Sequence, residues 1–229
     1  MTKFLDRFNI MLSNKKLDNI LSSKIILFGV GGVGGNTAEM LVRSGVGNLT
    51  IVDFDTIDIT NINRQIVALH SNIGKYKVDV LKERLLDINP NLNLTVFREK
   101  LTQDNIDMFM LTSYDYVIDC IDDLKAKQTL IKFCYDNDLK ILVSCGAGNR
   151  YQNLPNFTVC DIKDTSYDKL AKLLRKFCVE QKITKLNVVY TKEQPLKLET
   201  TTIGSVVYYP VAMACAIVSK VINDLINKN

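Results

Sequence analysis

The sequence predicts an α/β fold: a Rossmann-like, doubly wound and mostly parallel sheet, a C-terminal α+β extension and a long C-terminal helix. Two observations predict it. Between residues 24 and 145, short apolar runs alternate with stretches of helical periodicity, which is typical of parallel sheets with crossover helices. The glycine-rich segment GVGGVG (29–34) lies between the first apolar run and the first helical stretch. In doubly wound folds this turn binds nucleotide phosphates.

Five apolar runs are predicted to form the parallel strands: KIILF (24–28), NLTIVDFD (48–55), LNLTVF (92–97), DYVIDC (115–120) and LKILVSC (139–145). Helices are predicted between them at 36–45, 75–89, near 103–111 and at 124–137, with a short helix or loop at 61–70. After residue 145 the sequence predicts a loop (146–156), a strand (157–162), a basic amphipathic helix (167–181), short strands (186–191 and 196–202) and an apolar helix (about 204–227).

The composition excludes several kinds of site. The chain has 229 residues, a net charge of +4, one histidine and six cysteines, of which no two are spaced as CxxC. Zinc knuckles and thioredoxin-type redox motifs need that spacing. The first residues, MTKFLDRFNIML, lack a secretory cleavage site, and the longest apolar run (206–218) is shorter than the roughly 20 residues that span a bilayer. We therefore predict a cytoplasmic protein with reduced thiols, no structural zinc and no membrane partner.

The glycine motif supplies the first candidate ligand contacts. Gly29 permits the tight turn, and Gly31 and Gly32 allow phosphates to approach the backbone. Gly34 completes the motif, and Asp53 follows at the end of the second strand, where a carboxylate can accept ribose hydrogen bonds. Alone, this pattern fits a nicotinamide-dependent dehydrogenase, a flavoprotein, a nucleotide-binding adenylyltransferase or a glycine turn without a ligand.

A polar cluster follows the second strand: Asn61, Arg64, Gln65 and, at the start of the next helix, Lys77. Asn61 and Arg64 are three residues apart, so they are expected to share a helix face. A guanidinium can bind phosphate oxygens with two hydrogen bonds, which suits a triphosphate better than a dehydrogenase cofactor. The alternatives are an ion pair of Arg64 with Asp53 or Asp55, and a solvated surface position for Lys77.

Carboxylates follow the fourth predicted strand in DCIDD (119–123). Asp122 is a candidate ligand for Mg²⁺ bound to nucleotide phosphates, because that ion prefers carboxylate oxygen. The alternative is that Asp122 or Asp123 caps the helix that follows. The two roles are compatible if neighbouring residues take one each.

Together these motifs resemble the adenylation domain of the ThiF/MoeB/ubiquitin-activating-enzyme superfamily. They are GVGGVG, D-x-D-x-x-x-x-x-N-x-N-R-Q from Asp53, then Lys77, then D-C-x-D. The resemblance implies ATP and Mg²⁺ as cofactors and attack of a carboxylate on the α-phosphate. It also implies a homodimer in which Arg7 reaches the neighbouring subunit's triphosphate. The implied ATP contacts are the four motif glycines, Asp53, Asp55, Asn61, Arg64, Gln65, Lys77 and Asp122, with Arg64, Lys77 and Asp122 catalytic and Asp122 holding Mg²⁺.

The second half resembles one branch of that superfamily, the tRNA threonylcarbamoyladenosine dehydratases. The segment DIKDTSYDKLAKLLRKF (161–177) is similar to their D-x-x-x-T-x-x-D-x-L-x-x-x-L-R signature, and Lys169 stands where relatives often have proline. This resemblance implies ATP-dependent cyclisation of the modified adenosine with loss of water. It divides the chain into an N-terminal helical segment (1–23), an ATP-binding adenylation domain (24–146) and a substrate- and tRNA-binding extension packed on it (147–229).

The positive charge is concentrated in the extension. Residues 163–192 hold eight Lys or Arg and three Asp or Glu. The candidate tRNA contacts are four residues at helical spacing: Lys169, Lys172, Arg175 and Lys176. The alternative is a solvated helix face. A monovalent-cation site and a sulfur-transfer partner are left open.

Three other functions are alternatives to the dehydratase. An enzyme that adenylates the C-terminus of a ubiquitin-like sulfur-carrier protein is disfavoured by the missing CxxC pairs and the basic helix. A dehydrogenase leaves Arg64 and Lys77 without a purpose. A non-catalytic RNA- or protein-binding relative is disfavoured because the phosphate-binding residue types are all present.

Overall fold

The computed structural model describes residues 3–228 and contains a seven-stranded sheet. The strands are β1 (Lys24–Phe28), β2 (Asn48–Val52), β3 (Asn93–Phe97), β4 (Tyr116–Asp119), β5 (Ile141–Ser144), β6 (Thr158–Asp161) and β7 (Asn187–Tyr190). Their order is β3-β2-β1-β4-β5-β7-β6, and neighbouring strands are parallel except β6 and β7. The predicted doubly wound, mostly parallel α/β fold is confirmed.

Strand β1 shows why the central strands carry apolar residues on both faces. Successive side chains of a strand point to opposite faces of the sheet. Ile25 and Leu27 pack into the core on one face, whereas Ile26 and Phe28 pack into a separate core on the other. Because helices cover both faces, neither set of side chains reaches water.

The helices are α1 (Asp6–Asn9), α2 (Asn14–Ser22), α3 (Gly32–Arg43), α4 (Lys77–Ile88), α5 (Leu124–Asp136), α6 (Lys169–Glu180) and α7 (Tyr208–Ile226). Helices α2, α3, α4 and α7 contribute to the core that contains Ile25 and Leu27. Helix α5 packs on the opposite face, against Ile26 and Phe28. Helix α6 packs beside it, where Leu174 meets Val143 of β5 and Val188 of β7.

Three expectations about elements were wrong. Helix α3 begins at Gly32, inside the glycine motif, rather than at residue 36. The helix expected near 103–111 is two short 3-10 turns, Ile106–Phe109 and Leu111–Ser113, because Met110 between them adopts φ +46°. Residues 196–202 form no strand. Instead, the Leu196 N–H donates to the Asn149 carbonyl oxygen at 2.7 Å.

Helix α7 is the one helix among the described residues that is long and apolar enough to cross a membrane. The apolar run counted in the sequence underestimated its length. Its Tyr209, Met213, Ile217 and Val221 are completely buried, and the last three belong to the same core as β1. The helix therefore packs as a core element of this fold.

The predicted division of the chain into three regions stays a prediction. The sheet is continuous across residue 146, since β7 pairs with β5. The boundary at residue 146 therefore separates regions of one sheet and not two separate sheets. Residues 1, 2 and 229, which the predicted regions include, lie outside the described residues.

Candidate functional site

The candidate site is a cavity at the carboxyl ends of β1 and β4. From β1 the chain adds strands toward one edge of the sheet, and from β4 it adds them toward the other edge. Ligands of doubly wound folds bind where this direction changes. The cavity measures about 840 Å³ and is lined there by the glycine turn and residues 120–122. The topology therefore brings the two motifs together, although about ninety residues separate them in the sequence.

The glycine turn is shaped by two close approaches. Gly29 has φ +83°, and a Cβ on it would lie 2.7 Å from the Cys120 carbonyl oxygen. A Cβ on Gly34 would lie 1.7 Å from the Gly29 carbonyl oxygen. Gly34 does not line the cavity, and its missing side chain is needed for this close packing, so its ligand contact stays a prediction.

The start of α3 offers unpaired donors to the cavity. No side chain caps this helix, and Gly31, Gly32 and Val33 line the cavity. A Cβ on Gly31 would meet no atom closer than 3.8 Å, so a longer side chain there would occupy the cavity. Free N–H groups at a helix N-terminus and an open cradle above them suit a phosphate.

Asp53 joins the glycine turn to the end of β2. Its Oδ2 accepts the Val30 N–H at 2.7 Å, and its Oδ1 accepts the Asp55 N–H at 2.8 Å. Burial raises the pKa of this carboxyl group. The two backbone hydrogen bonds and the charge of Lys77 oppose that rise. Asp53 lines the cavity at the position expected for a ribose ligand.

Lys77 is a buried cation at the first turn of α4. Its side chain is 8% exposed and its Nζ lies 2.7 Å from Asp55 Oδ2. Both residues line the cavity. The alternative of a solvated surface lysine is therefore wrong, since Lys77 is fixed by a carboxylate at the site.

The predicted cluster of Asn61, Arg64 and Gln65 is divided by the structure. Arg64 lines the cavity, and its Nη1 donates to the Thr60 carbonyl oxygen at 2.8 Å. Within residues 3–228 it forms no ion pair, which excludes the pairing with Asp53 or Asp55 there. Gln65 also lines the cavity and is 7% exposed, and its Oε1 has no hydrogen-bond partner.

Asn61 lies outside the cavity lining. It is buried, and its Oδ1 accepts the Asp58 N–H at 3.1 Å, which closes a capping box around a 3-10 turn. Arg64 lines the cavity, whereas the Asn61 side chain is used within the turn, so the two side chains do not both line the cavity. The structure thus offers Asn61 a role in shaping the loop, and its phosphate contact remains only a prediction.

Asp122 and Asp123 take different positions. Asp123 caps α5, with its Oδ1 accepting the Ala126 N–H at 3.0 Å, and it forms an ion pair with Lys100 at 3.2 Å. These contacts lower its pKa. Asp122 is exposed, lines the cavity and makes no hydrogen bond or ion pair within the described chain. Of the two carboxylates, Asp122 is the one that faces the cavity without a partner.

The donor set suits a magnesium ion that arrives with a nucleotide. No group of three or more His, Cys, Asp or Glu residues in the described chain could hold a metal by itself. Magnesium in nucleotide sites takes one or two carboxylates and completes its coordination with phosphates and water. The single free carboxylate of Asp122 fits that arrangement.

A buried ion pair, missed by the sequence analysis, lies under the loop that carries Asp122. Asp119 Oδ1 accepts hydrogen bonds from Lys127 Nζ and from the Ile121 N–H, both at 2.9 Å. Both side chains are 0% exposed, and Asp119 Oδ2 has no partner. The spacing of eight residues across a strand end and a helix gave no pattern that identified the pair.

The cavity continues into a second part, here called the acceptor half. It is lined by residues 144–150, by residues 168–170 and Leu173, and by Pro195, Leu196, Thr200, Thr201 and Ile203. Asn149 joins two of these walls. Its backbone N–H donates to the Gly204 carbonyl oxygen at 2.7 Å, and its Oδ1 accepts the Gly204 N–H at 2.6 Å. With the Leu196 contact, one residue makes three hydrogen bonds to a segment without regular structure.

Arg150 and Asp168 complete the acceptor half. Arg150 is 4% exposed, its Nη1 donates to the carbonyl oxygens of Gly146 and Gly148, and its Nε donates to that of Glu193. Asp168 caps α6 and also accepts the Gly146 N–H at 2.8 Å. Arg150 was not predictable from the sequence, because its partners are three backbone carbonyls, which leave no trace in the residue pattern.

The four predicted tRNA contacts on α6 also divide. Lys169 and Lys172 are exposed, and Lys169 lines the cavity. Lys176 is exposed and pairs with Glu180 at 3.6 Å. Arg175 donates from Nη1 to the Thr165 carbonyl oxygen at 2.9 Å and to the Thr165 hydroxyl, so it holds the turn before α6 and is less available to RNA.

Arg7 and the cysteines complete the list of predicted features. Arg7 is exposed on α1 and does not line this cavity, and its contact with a neighbouring subunit remains a prediction. The six cysteines are free. Cys120 lines the cavity, and burial raises its pKa to about 12, which keeps the thiol protonated near neutral pH.

Comparison with known proteins gives one matching family and relatives that share one name. The profile of the ThiF family matches residues 6–228. The tRNA threonylcarbamoyladenosine dehydratase of Bacillus subtilis (strain 168) is 37% identical over 191 residues, 83% of this chain and 75% of that protein. The Escherichia coli (strain K12) protein of the same name is 38% identical over 166 residues, 72% of this chain and 62% of that protein. The matched segment thus spans between three fifths and three quarters of these relatives.

A solved structure is similar over nearly the whole chain. The E. coli tRNA N6-threonylcarbamoyladenosine dehydratase in complex with ATP has a TM-score of 0.90 and 30% sequence identity, covering 97% of this chain and 93% of that chain. The same protein in complex with AMP has a TM-score of 0.89 and 31% identity, covering 95% and 91%.

Proposed function

Because the chain belongs to the ThiF family, we propose that it is an adenylate-forming enzyme that dehydrates threonylcarbamoyladenosine in tRNA at the expense of ATP. Relatives of that name support the substrate, and the ATP and AMP complexes of one of them support the nucleotide. The observation that carries the proposal is the single cavity, which joins the glycine turn to the acceptor half without a break. A carboxylate in one half can therefore meet a triphosphate in the other.

In this proposal, ATP lies over the glycine turn with its ribose at Asp53. Arg64 and Lys77 line the same half and bind the phosphates, whose charge rises as pyrophosphate leaves. Asp55 fixes the Lys77 ammonium group through the ion pair described above. We propose that Asp122 holds Mg²⁺, which when bound would neutralise phosphate charge.

The first step forms a bond between a threonyl carboxylate oxygen and the α-phosphorus and breaks the bond from that phosphorus to pyrophosphate. The carboxylate needs no general base, because such groups are ionised near pH 7. This suits a chain with one histidine, His70, which does not line the cavity.

In the second step, a nucleophile of the same modified nucleoside attacks the activated carbonyl carbon. The carboxylate oxygen that joined phosphorus leaves with AMP, and the nucleophile loses its proton to solvent. The net change is loss of one water from the nucleoside, with ATP converted to AMP and pyrophosphate. Since both reacting groups belong to one bound molecule, proximity supplies much of the acceleration.

We further propose that the enzyme acts in the cytoplasm as a homodimer to which Arg7 contributes in trans. Lys169 and Lys172 are the favoured contacts for tRNA phosphates, since both are exposed and free of ion pairs among the described residues. A sulfur-transfer partner and a monovalent cation stay open.

The test uses tRNA that carries threonylcarbamoyladenosine, incubated with the protein, ATP and Mg²⁺ and then digested to nucleosides. We expect the mass of the modified nucleoside to fall by the mass of one water and AMP to appear in equal amount. Omission of ATP is the control. AMP formed only when a ubiquitin-like carrier protein is added would contradict the proposal and favour the sulfur-carrier alternative.

A further inference from the structure

Tyr167 is an exposed aromatic residue in an unfavourable backbone conformation. Its φ is +54° and its side chain is 60% exposed. For an L-residue this left-handed conformation is unfavourable, and glycine or asparagine is the usual occupant. Among the described residues its ring pairs with no aromatic ring or cation, and its hydroxyl makes no hydrogen bond. Contacts within the chain therefore do not account for a tyrosine here.

Tyr167 does not itself line the cavity, but it directly precedes two residues that do, and this edge of the acceptor half is here called the rim. The next two residues, Asp168 and Lys169, both line the cavity. One turn along α6, Leu173 also lines it and is 47% exposed. Lys172 is exposed beside them and, within residues 3–228, forms no ion pair. The rim thus combines exposed apolar side chains with two available ammonium groups.

The charges around the rim favour a polyanion. The carboxylate of Asp168 is already occupied by two backbone N–H groups. The Asp161 carboxylate lies 3.8 Å from the Lys163 ammonium group, and Glu180 pairs with Lys176. Asp164 is then the exposed acid of this segment that forms no ion pair among the described residues. A planar exposed ring beside ammonium groups suits single-stranded RNA, whose unpaired bases stack on aromatic side chains while its phosphates meet cations.

We propose that Tyr167 is a stacking platform for an unpaired base of the tRNA, the neighbour of the nucleotide that enters the acceptor half. Lys169 and Lys172 bind the phosphates beside that base. This inference rests on the proposed function, since it takes tRNA as the substrate. A nucleotide that enters the cavity leaves its stacked neighbour and loses that stacking energy. Stacking on Tyr167 replaces the lost contact.

The decisive variant is Tyr167→Gly, because it separates binding from folding. Glycine adopts φ +54° without strain, so the free energy of unfolding should stay the same or rise. Removal of one base–aromatic stack should raise the KM for tRNA by about 5- to 150-fold, from 1–3 kcal/mol per base. ATP affinity and kcat at saturating tRNA should not change. Tyr167→Phe should keep the low KM, since its ring stacks equally well.

Met110→Gly is the matched control. Met110 has φ +46° and is 68% exposed, so this variant also relieves a left-handed residue and removes an exposed apolar side chain. Its neighbours Phe109 and Leu111 belong to the core that contains Ala126 of α5 and no residue of α6. We expect its KM for tRNA to equal that of the wild type, while its free energy of unfolding responds as in Tyr167→Gly.

Two results would overturn the inference. An unchanged KM for tRNA in Tyr167→Gly, with an active wild type, would remove the platform and leave the proposed function intact. A Tyr167→Gly variant that loses binding of a carrier protein and not of tRNA would assign the ring to a protein partner. A wild type that does not dehydrate the modified tRNA would instead refute the proposed function itself.

Discussion

The buried pair of Asp119 and Lys127 allows a quantitative prediction about the loop that carries Asp122. Lys127→Met keeps an unbranched side chain, one atom shorter, and removes its charge. It leaves the Asp119 carboxylate without a cation at a site that is 0% exposed, with Oδ2 already unpartnered. Removing one partner of a buried ion pair typically costs about 3–5 kcal/mol of stability.

The loss should depend on pH. Burial raises the pKa of Asp119, and Lys127 opposes that rise, so the variant should raise the pKa further. A carboxyl whose pKa is higher in the folded than in the unfolded state binds more protons when folded, and stability then falls as the pH rises between the two values. The slope is up to about 1.4 kcal/mol per pH unit. The deficit of Lys127→Met should therefore be larger near pH 8 than near pH 5.

The assay is urea unfolding of the wild type, Lys127→Met and Asp119→Asn/Lys127→Met at both pH values. The double variant keeps the Oδ1 acceptor for the Ile121 N–H and leaves no charge at this buried site. It should recover most of the lost stability, show no added pH dependence and bind ATP better than the single variant. Equal deficits at the two pH values, or a double variant as unstable as the single one, would refute the reasoning from buried charge.

Three further predictions concern the site. Asp122→Ala should reduce turnover at least about 100-fold. The unfolding midpoint should not change, because Asp122 has no structural contact, and full activity would exclude Asp122 as the Mg²⁺ residue. Gly31→Leu should raise the Kd for ATP about tenfold or more while the fold is retained, because its side chain would enter open cavity. Calorimetry measures the Kd, and an unchanged value would show that ATP does not bind over the turn. Lys172→Glu should weaken tRNA binding and reduce the slope of log K against log salt by roughly 0.7–0.9 per lost phosphate contact. Lys16→Glu, an exposed residue of α2 with the same change in charge, should leave both unchanged.

The sequence predicted the features that depend on local pattern. Apolar runs gave the seven observed strands, and the glycine motif with Asp53 gave one half of the cavity. Features that depend on pairing across the chain were not predictable. Asn149 and Gly204 are 55 residues apart, and their contact replaces the strand expected at 196–202. Arg175 fits the basic periodicity of α6, yet its guanidinium is used by Thr165 through a turn that periodicity does not describe.

The pairing of β5 with β7, together with the packing of α7 against α3, has a consequence for synthesis. When the ribosome has made β5, the outer edge of that strand and one face of α3 have no partner yet. Both wait for residues 187–226, which at about 5–20 residues per second means several seconds or more. During that time an open strand edge can pair with other chains. The nucleotide-binding turn is therefore encoded early but becomes stable late, so we expect nascent chains that stop before α7 to need chaperone protection rather than to bind ATP.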